Sequence, residues 1–235
     1  MKYPLLILII LLTAENIAQT VDKRSDSITE NTKSFYREDQ FYAGVSFNLL
    51  TKLNNDIQQS GFSGSFDLGI IRDFPLNQAS TLALGVGAGI NINTYNQNVF
   101  LGETPDGNDI VTALGTSIEY STNKFSTHVL ELPIQLRWRT STIKDYAFWR
   151  VYAGIKLGYI YYFKSTFEQE NNTVIQTDSD ALNRFRTSAF LSFGYNIVNI
   201  QIQYDLNPLF NGQFTNTESE IGINPLRLGF IFYIL

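Results

Sequence analysis

Apolar and polar side chains alternate with a period of two along the stretch Trp149–Phe163. One face of this stretch carries seven apolar residues, Val151, Ala153, Ile155, Leu157, Tyr159, Tyr161 and Phe163. The other face carries two glycines and the cations Arg150 and Lys156. The next residue on that face, Lys164, is a third cation. A period of two predicts a β-strand, and about 9–11 tilted residues are enough to cross the hydrocarbon of a bilayer. The stretch is therefore predicted to span a membrane, with its polar face turned into a barrel.

The same two-faced pattern occurs eight times after residue 40. The predicted strands cover residues 41–49, 62–70, 82–93, 130–139, 149–163, 185–195, 198–206 and 226–234. Small residues such as Gly85, Gly87 and Gly89 share the inward phase of the third strand, as a narrow barrel requires. Pro133 lies on the inward phase of the fourth strand and predicts a bulge or local break there, because proline cannot donate to the ladder. The fold class is thus all-β, an eight-stranded antiparallel up-and-down transmembrane β-barrel of the OmpA-like type. A soluble barrel of the lipocalin kind would have apolar residues on its inward face and polar residues on its outward face.

The connections between the predicted strands alternate in length. Those at Phe74–Ser80, Thr140–Phe148 and Asn196–Ile197 are short, whereas the link Asn96–Phe125 is the longest. Outer-membrane barrels have short periplasmic turns and longer outer loops, so both termini are expected in the periplasm. Residues 1–18 have the charge and the apolar run of a secretory signal peptide, and residues 19–39 are predicted to be a flexible periplasmic leader. Residues 40–235 are then the outer-membrane barrel.

The composition excludes several functional classes. There is no apolar run of about 20 residues that would form a membrane-spanning helix beyond the N-terminus. The net charge of −5 and the lack of basic runs argue against nucleic acid as a partner. The chain has no cysteine and one histidine, so thiol catalysis is excluded and neither a metal site nor a cofactor is expected.

Ionisable residues recur on the inward phase of the predicted strands. We expect eight of them to form an ion-pair network inside the barrel: Asp67, Glu131, Arg137, Arg150, Lys156, Arg186, Asp205 and Arg227. Unpaired charges there would cost several kcal/mol each, and an eight-stranded barrel has room for little beyond its own side chains. Asp205 in particular is expected to pair with Arg227 or Arg186. Arg139 and Lys164 lie near a rim, where they are expected to meet water, and a polar conduit is the alternative use of this interior.

Aromatic residues concentrate at the predicted strand ends, which predicts two belts at the membrane boundaries. The periplasmic belt would contain Phe74, Trp138, Phe148, Trp149, Tyr195, Phe232 and Tyr233. The outer belt would contain Tyr95, Tyr161, Tyr162, Phe163, Phe185 and Phe210.

His128 is the one candidate for imidazole chemistry. It lies with Ser126 on the lipid-facing phase near the outer end, where lipid-modifying hydrolases built on eight-stranded barrels place a histidine and a serine. No carboxylate is evidently aligned with it. An interfacial histidine is therefore favoured over a catalytic one, and no catalytic residue is expected.

Three segments carry a family resemblance. Leu130-Glu-Leu-Pro-Ile-Gln-Leu-Arg-Trp-Arg139, followed after a short turn by Trp149-Arg-Val-Tyr-Ala-Gly-Ile-Lys-Leu-Gly158, resembles the PorT-like outer-membrane barrels of the Bacteroidota. Tyr204-Asp-Leu-Asn-Pro-Leu-Phe210 fits the penultimate-strand pattern of that group, and the resemblance covers about residues 40–235.

The resemblance implies a non-enzymatic outer-membrane barrel that is a structural or accessory subunit of an envelope machine. One branch of this group is needed for type IX protein secretion and gliding. Its expected partners are outer-membrane lipid and other outer-membrane or periplasmic proteins of a larger complex. An accessory subunit of the barrel-assembly complex and a lipid-modifying outer-membrane enzyme are the two alternatives.

Overall fold

The structure is a computed structural model that describes residues 39–51, 57–104, 106–115, 117–140, 148–215 and 221–234. The predicted signal peptide, residues 1–18, and all of the predicted leader except Asp39 lie outside the described residues. None of the described residues belongs to a helix of the length and apolar character needed to cross a bilayer.

Eleven β-strands account for most of the described chain. Eight of them are long: β1 Gln40–Thr51, β2 Gly64–Pro75, β3 Leu82–Asn96, β6 Thr122–Arg139, β7 Trp149–Gln169, β9 Phe185–Tyr195, β10 Val198–Asp205 and β11 Asn224–Ile234. Three are short: β4 Val99–Glu103, β5 Asp109–Ala113 and β8 Asn172–Gln176.

The eight long strands form a closed antiparallel ring. Its order is β1, β2, β3, β6, β7, β9, β10 and β11. The ring closes where β11 returns to β1, with Phe41 opposite Ile234 and Thr51 opposite Asn224. Each of the eight predicted strands overlaps one of these, so the eight-stranded antiparallel barrel is confirmed. The end of the barrel with the long connections is called the loop end below, and the other the turn end.

Side chains divide between the two faces of the barrel as the alternation predicts. Outward apolar residues such as Leu130, Ile200 and Phe230 are more than half exposed, at 52%, 57% and 52%. Inward neighbours such as Glu131 and Gln201 are buried. Apolar outside and polar inside is the arrangement of a transmembrane barrel, because lipid covers the outer face.

A β-bulge in β7 changes the phase of this strand near the loop end. His128 pairs with Tyr162 and Val129 pairs with Ile160, so Tyr161 has no partner on β6. Beyond this point the phase is reversed, and Phe163, predicted to face lipid, is 2% exposed inside the barrel. Lys164, predicted to face inward, instead lies opposite Ser126 on the outward face. Both predictions were wrong, because one extra residue inverts every later position of a strand.

Pro133 interrupts the ladder on one side of β6. Pairing with β3 runs to Ile134 and resumes at Glu131 with an unchanged register. On the other side, Pro133 stays opposite Lys156 in the continuous ladder with β7. The proline therefore causes a local break, whereas the bulge lies nearer the loop end.

Several aromatic residues assigned to the two belts are buried, either inside the barrel or among the connections over its loop end. The structure buries Tyr95, Phe148, Phe163, Phe210 and Tyr233, each at 2% exposure or less. Adjacent residues such as Phe148 and Trp149 cannot both face outward where the alternation is regular, so assigning these residues to a belt by their position near a strand end was wrong. Outward positions that remain at the turn end are Phe74, Trp138, Trp149, Tyr195 and Phe232, and those at the loop end are Tyr161, Tyr162 and Phe185.

The long connections pack together as a cap over the loop end. The β4–β5 hairpin lies within the link between β3 and β6, and β8 pairs with the last residues of β7. Beneath them the Phe125 ring lies 4.8 Å from Tyr95 and 5.5 Å from Phe210, centroid to centroid. Backbone hydrogen bonds such as that from Asn211 N–H to the Ala181 carbonyl, 2.7 Å, join different connections. The cap, here β4, β5, β8 and residues 177–184, 206–215 and 221–223, therefore has an apolar core, which it shares with inward residues of the barrel strands such as Tyr95, Phe125 and Phe163.

The charged interior as candidate functional site

Six inward side chains of alternating sign form one continuous series of ion pairs. In spatial order they are Asp67, Lys156, Glu131, Arg227, Asp205 and Arg186. The Lys156 ammonium lies 3.2 Å from Asp67 and 2.9 Å from Glu131. Arg227 lies 3.6 Å from Glu131 and 2.6 Å from Asp205, which is also 2.8 Å from Arg186. The six residues come from six different strands, so this ion-pair series crosses the interior of the barrel.

Further hydrogen bonds support the end of the series nearest the loop end. Ser188 donates to Asp205 over 2.7 Å. Arg227 donates to the Asn91 side-chain oxygen over 2.7 Å, and Arg186 donates to the Pro208 carbonyl over 2.6 Å. Such extra partners are what a buried ion pair needs, because the attraction between the two charges alone does not repay their loss of water.

A second cluster lies nearer the turn end and is built around Asp73. Both Arg137 and Arg139 form ion pairs with this carboxylate, and all three side chains are fully buried. Arg137 also donates to Gln40, and its guanidinium carbon lies 4.3 Å from the centre of the Tyr152 ring. Arg139 was predicted to meet water, which is wrong, because the Asp73 carboxylate and the Ser80 carbonyl bind it instead.

Asp73 was absent from the predicted network, although the sequence held a signal for it. The inward phase of β2 passes through Asp67, Gly69 and Ile71, and its next position is Asp73. Extending the strand beyond Ile70 would have placed this carboxylate inside. Arg150, which was predicted to join the network, lies opposite Arg139 of the second cluster, on the neighbouring strand. It donates to the Asn196 carbonyl, and its guanidinium lies 4.5 Å from the Phe148 ring centre.

An aromatic layer separates the two charged clusters. It contains Tyr42, Ile71, Tyr152, Ile231 and Tyr233, all buried. The Tyr233 ring lies 5.1 Å from Tyr152 and 6.4 Å from Tyr42. Along β2, Ile71 stands between the two carboxylate-bearing positions, which places the layer between the clusters.

Two inward glycines make room for the Tyr42 ring. A Cβ added at Gly89 would lie 2.0 Å from the Tyr42 hydroxyl oxygen, and one added at Gly69 would lie 2.5 Å from it. The small inward residues predicted for a narrow barrel thus form a slot for one particular side chain.

The interior leaves little free space. One cavity beside Tyr42 and Lys156 and another beside Glu131 and Arg186 have about 10 Å³ each, which is room for about one water molecule. At the loop end, the apolar core of the cap lies over the ion-pair series. Around the ion-pair series and the aromatic layer, the described side chains thus fill the interior.

His128 lies on the outward face and takes no part in these clusters. Its ring is 4.5 Å from Tyr162 and 5.8 Å from Tyr161. The Ser126 hydroxyl lies 3.2 Å from that of Thr94, and no hydrogen bond in the described part of the chain joins His128 to Ser126. Across the same residues, no group of three His, Asp or Glu side chains is placed so that it could hold a metal ion.

These features define a transmembrane β-barrel with a side-chain-filled interior. The chain matches the family model of the outer membrane protein beta-barrel domain over residues 18–215, and it therefore belongs to that family. It is an outer-membrane β-barrel protein. A similar solved structure is that of Ail, the attachment invasion locus protein of Yersinia pestis, in complex with the heparin analogue sucrose octasulfate. The two are 14% identical with a TM-score of 0.36, over 84% of this chain and 99% of that one. No curated protein matches the chain.

Proposed function

We propose that this barrel is a non-enzymatic structural or accessory subunit of an envelope machine. The observation that carries the proposal is the filled interior. Each cavity beside the ion-pair series and the aromatic layer has room for about one water molecule. A barrel without a conduit acts through its surfaces, namely the lipid-facing wall, the turns and the cap. Membership of a complex is a function that such surfaces can serve.

We also propose that the loop end faces the cell exterior. The connections at the turn end are short, as between Tyr195 and Val198, whereas those at the loop end fold into the cap. Outer-membrane barrels place short turns in the periplasm, so both ends of the barrel chain, Gln40 and Ile234, would lie on the periplasmic side.

The specific machine we propose is the type IX secretion and gliding apparatus. Its support is the resemblance of the segments Leu130–Arg139, Trp149–Gly158 and Tyr204–Phe210 to PorT-like barrels. The barrel-assembly complex is another envelope machine that uses accessory barrels. Outer-membrane lipid and other outer-membrane or periplasmic proteins are the partners that this role requires.

Two measurements on the full chain test the proposal. Cross-linking in intact cells, followed by purification in detergent, should recover the barrel with stoichiometric envelope proteins, and deletion should block the export of type IX substrates. The purified barrel should leave planar bilayers at background conductance. Steady wild-type conductance would show a wet channel and overturn the closed-subunit proposal. If the barrel were recovered with barrel-assembly proteins and type IX export were normal, the barrel would be assigned to the barrel-assembly complex instead.

A further inference from the structure

The outward faces of β3, β6 and β7 change from apolar to polar at the same level near the loop end. Register places Thr94, Ser126 and Lys164 in one row across the three strands. The row beyond it contains Asn96, Lys124 and Thr166. The row on the membrane side contains Ile92, His128 and Tyr162.

Two cations lie close together on this polar surface. Lys124 and Lys164 occupy diagonal positions on neighbouring strands, which are about 7–8 Å apart in antiparallel sheets. Within the described residues, neither ammonium group lies within ion-pair distance of a carboxylate. The nearest acid on this face of β7 is Glu168, which lies opposite Thr122 and therefore diagonally from Lys124, on the side away from Lys164. Between Lys124 and Lys164 the surface is cationic and carries hydroxyl groups, and Glu168 borders it on the side away from the membrane.

The bulge at Tyr161 is responsible for this charge pair. If β7 continued in regular alternation through Tyr161, Lys164 would point into the barrel on the same phase as Ile160, and Lys124 would have no second cation beside it. The same bulge turns both Tyr161 and Tyr162 outward beside His128. Bulges that re-aim side chains are common at the rims of barrels and next to active sites.

The polar surface begins where the apolar band of the barrel ends. On β6 the outward residues are apolar from Leu130 to Trp138, a run that rises roughly 21 Å along the barrel axis at a tilt of about 40°. The apolar band of outer-membrane barrels is about 25 Å tall. Lys124 and Lys164 thus lie just beyond the hydrocarbon, at the depth of lipid headgroups.

We propose that Lys124, Lys164, Ser126, Thr94 and His128, together the headgroup patch, bind the phosphorylated headgroup of a lipid. The ammonium groups would pair with phosphate oxygens, the hydroxyls would donate to phosphate or sugar oxygens, and the acyl chains would lie along the apolar band. The ligand is the phosphate-bearing sugar headgroup of outer-leaflet lipopolysaccharide, an assignment that rests on the proposed orientation. Ser126 and His128 then act as binding groups without a catalytic role.

The test measures binding of bisphosphorylated lipid A to the detergent-purified full chain by native mass spectrometry. The double variant Lys124→Gln/Lys164→Gln should bind about twenty-five-fold more weakly, since each cation near an anionic lipid surface contributes about a factor of five. Arg72→Gln is the matched control, because Arg72 is an exposed outward cation on β2, toward the turn end. This control should bind as the wild type does, and heat-dependent gel mobility should show that every variant is folded.

Lipid A without phosphates should bind the wild type as weakly as the double variant binds the phosphorylated form. Unchanged binding by the double variant, or equal losses in Arg72→Gln, would overturn the proposal. Phosphatidylglycerol binding as tightly as lipid A would overturn the lipopolysaccharide assignment, and displacement by millimolar inorganic phosphate would point to a free anion. Surface labelling of cysteines, described in the Discussion, tests the orientation separately.

Discussion

Asp205 on β10 and Arg227 on β11 lie 2.6 Å apart inside the barrel, and the same carboxylate also binds Arg186 over 2.8 Å. One acid therefore links three consecutive strands of the ring. Because Arg227 also lies 3.6 Å from Glu131 on β6, the linkage continues across the barrel to the opposite wall.

Replacing Asp205 should destabilise the barrel strongly. Asp205→Ala leaves two buried guanidinium groups without their carboxylate, and breaking a buried pair in this way costs about 3–5 kcal/mol. The temperature at which gel mobility changes should fall accordingly. Asp178→Ala is the control, because Asp178 pairs with Arg184 at the surface and its side chain is 77% exposed. Equal melting of wild type and Asp205→Ala would mean that water replaces the ion pair.

The slot for Tyr42 predicts a coupled pair of substitutions. Gly89→Ala should lower the melting temperature, since the new Cβ would meet the Tyr42 hydroxyl. Adding Tyr42→Phe removes that oxygen and should restore part of the loss, although the Leu68 carbonyl, 2.7 Å from the same Cβ position, remains. Gly115→Ala is the control, with its nearest contact at 3.9 Å. Strictly additive effects in the double-mutant cycle would contradict the slot.

The apolar core of the cap predicts a change confined to the loop end. Phe125 is fully buried, and Phe125→Ala should cost about 3–5 kcal/mol in local stability, as large-to-small core substitutions do. The loops should then be cut faster by protease added to intact cells. Phe185→Ala, at a position that is 72% exposed on the outward face, should leave the cutting rate unchanged. Equal protection of wild type and Phe125→Ala would argue against a packed cap.

Orientation can be read by labelling cysteines with a reagent that does not cross the membrane. Cysteine introduced at Gly107 or Asn172, both exposed at the loop end, should react in intact cells. Cysteine at Ala79, exposed in the turn between β2 and β3, should react only after the cells are broken. The opposite pattern would invert the proposed orientation.

Alternation alone was enough to predict the ring. Each strand has one face that meets lipid and one that meets other side chains, so Leu130 and Glu131 are distinguished by chemistry. The same argument places Lys156, Asp205 and Arg227 inside without any knowledge of their partners. Which of these charges pair with each other depends on the distances between them in the folded barrel, and the alternation along the chain gives no information about those distances.

The bulge and the cap lay beyond what alternation can predict. Tyr161, Tyr162 and Phe163 are three consecutive aromatic residues, so a change of phase among them leaves no mark in the sequence. In β4, Val99-Phe100-Leu101 is apolar throughout, because Val99 and Leu101 enter the core of the cap while Phe100 packs against Phe167. Such a strand shows no period of two.

The pairing of β1 with β11 sets an order of assembly. The other neighbours in the ring follow one another along the chain, apart from the inserted β4, β5 and β8, so each can form as a local hairpin. The contact between Phe41 and Ile234 joins opposite ends of the barrel sequence, and closing so long a loop is intrinsically slow. Until the last strand arrives, β1 and β10 both present unpaired edges that could bind another chain. The period between export and closure is therefore when this protein is most prone to aggregate and most dependent on an escort.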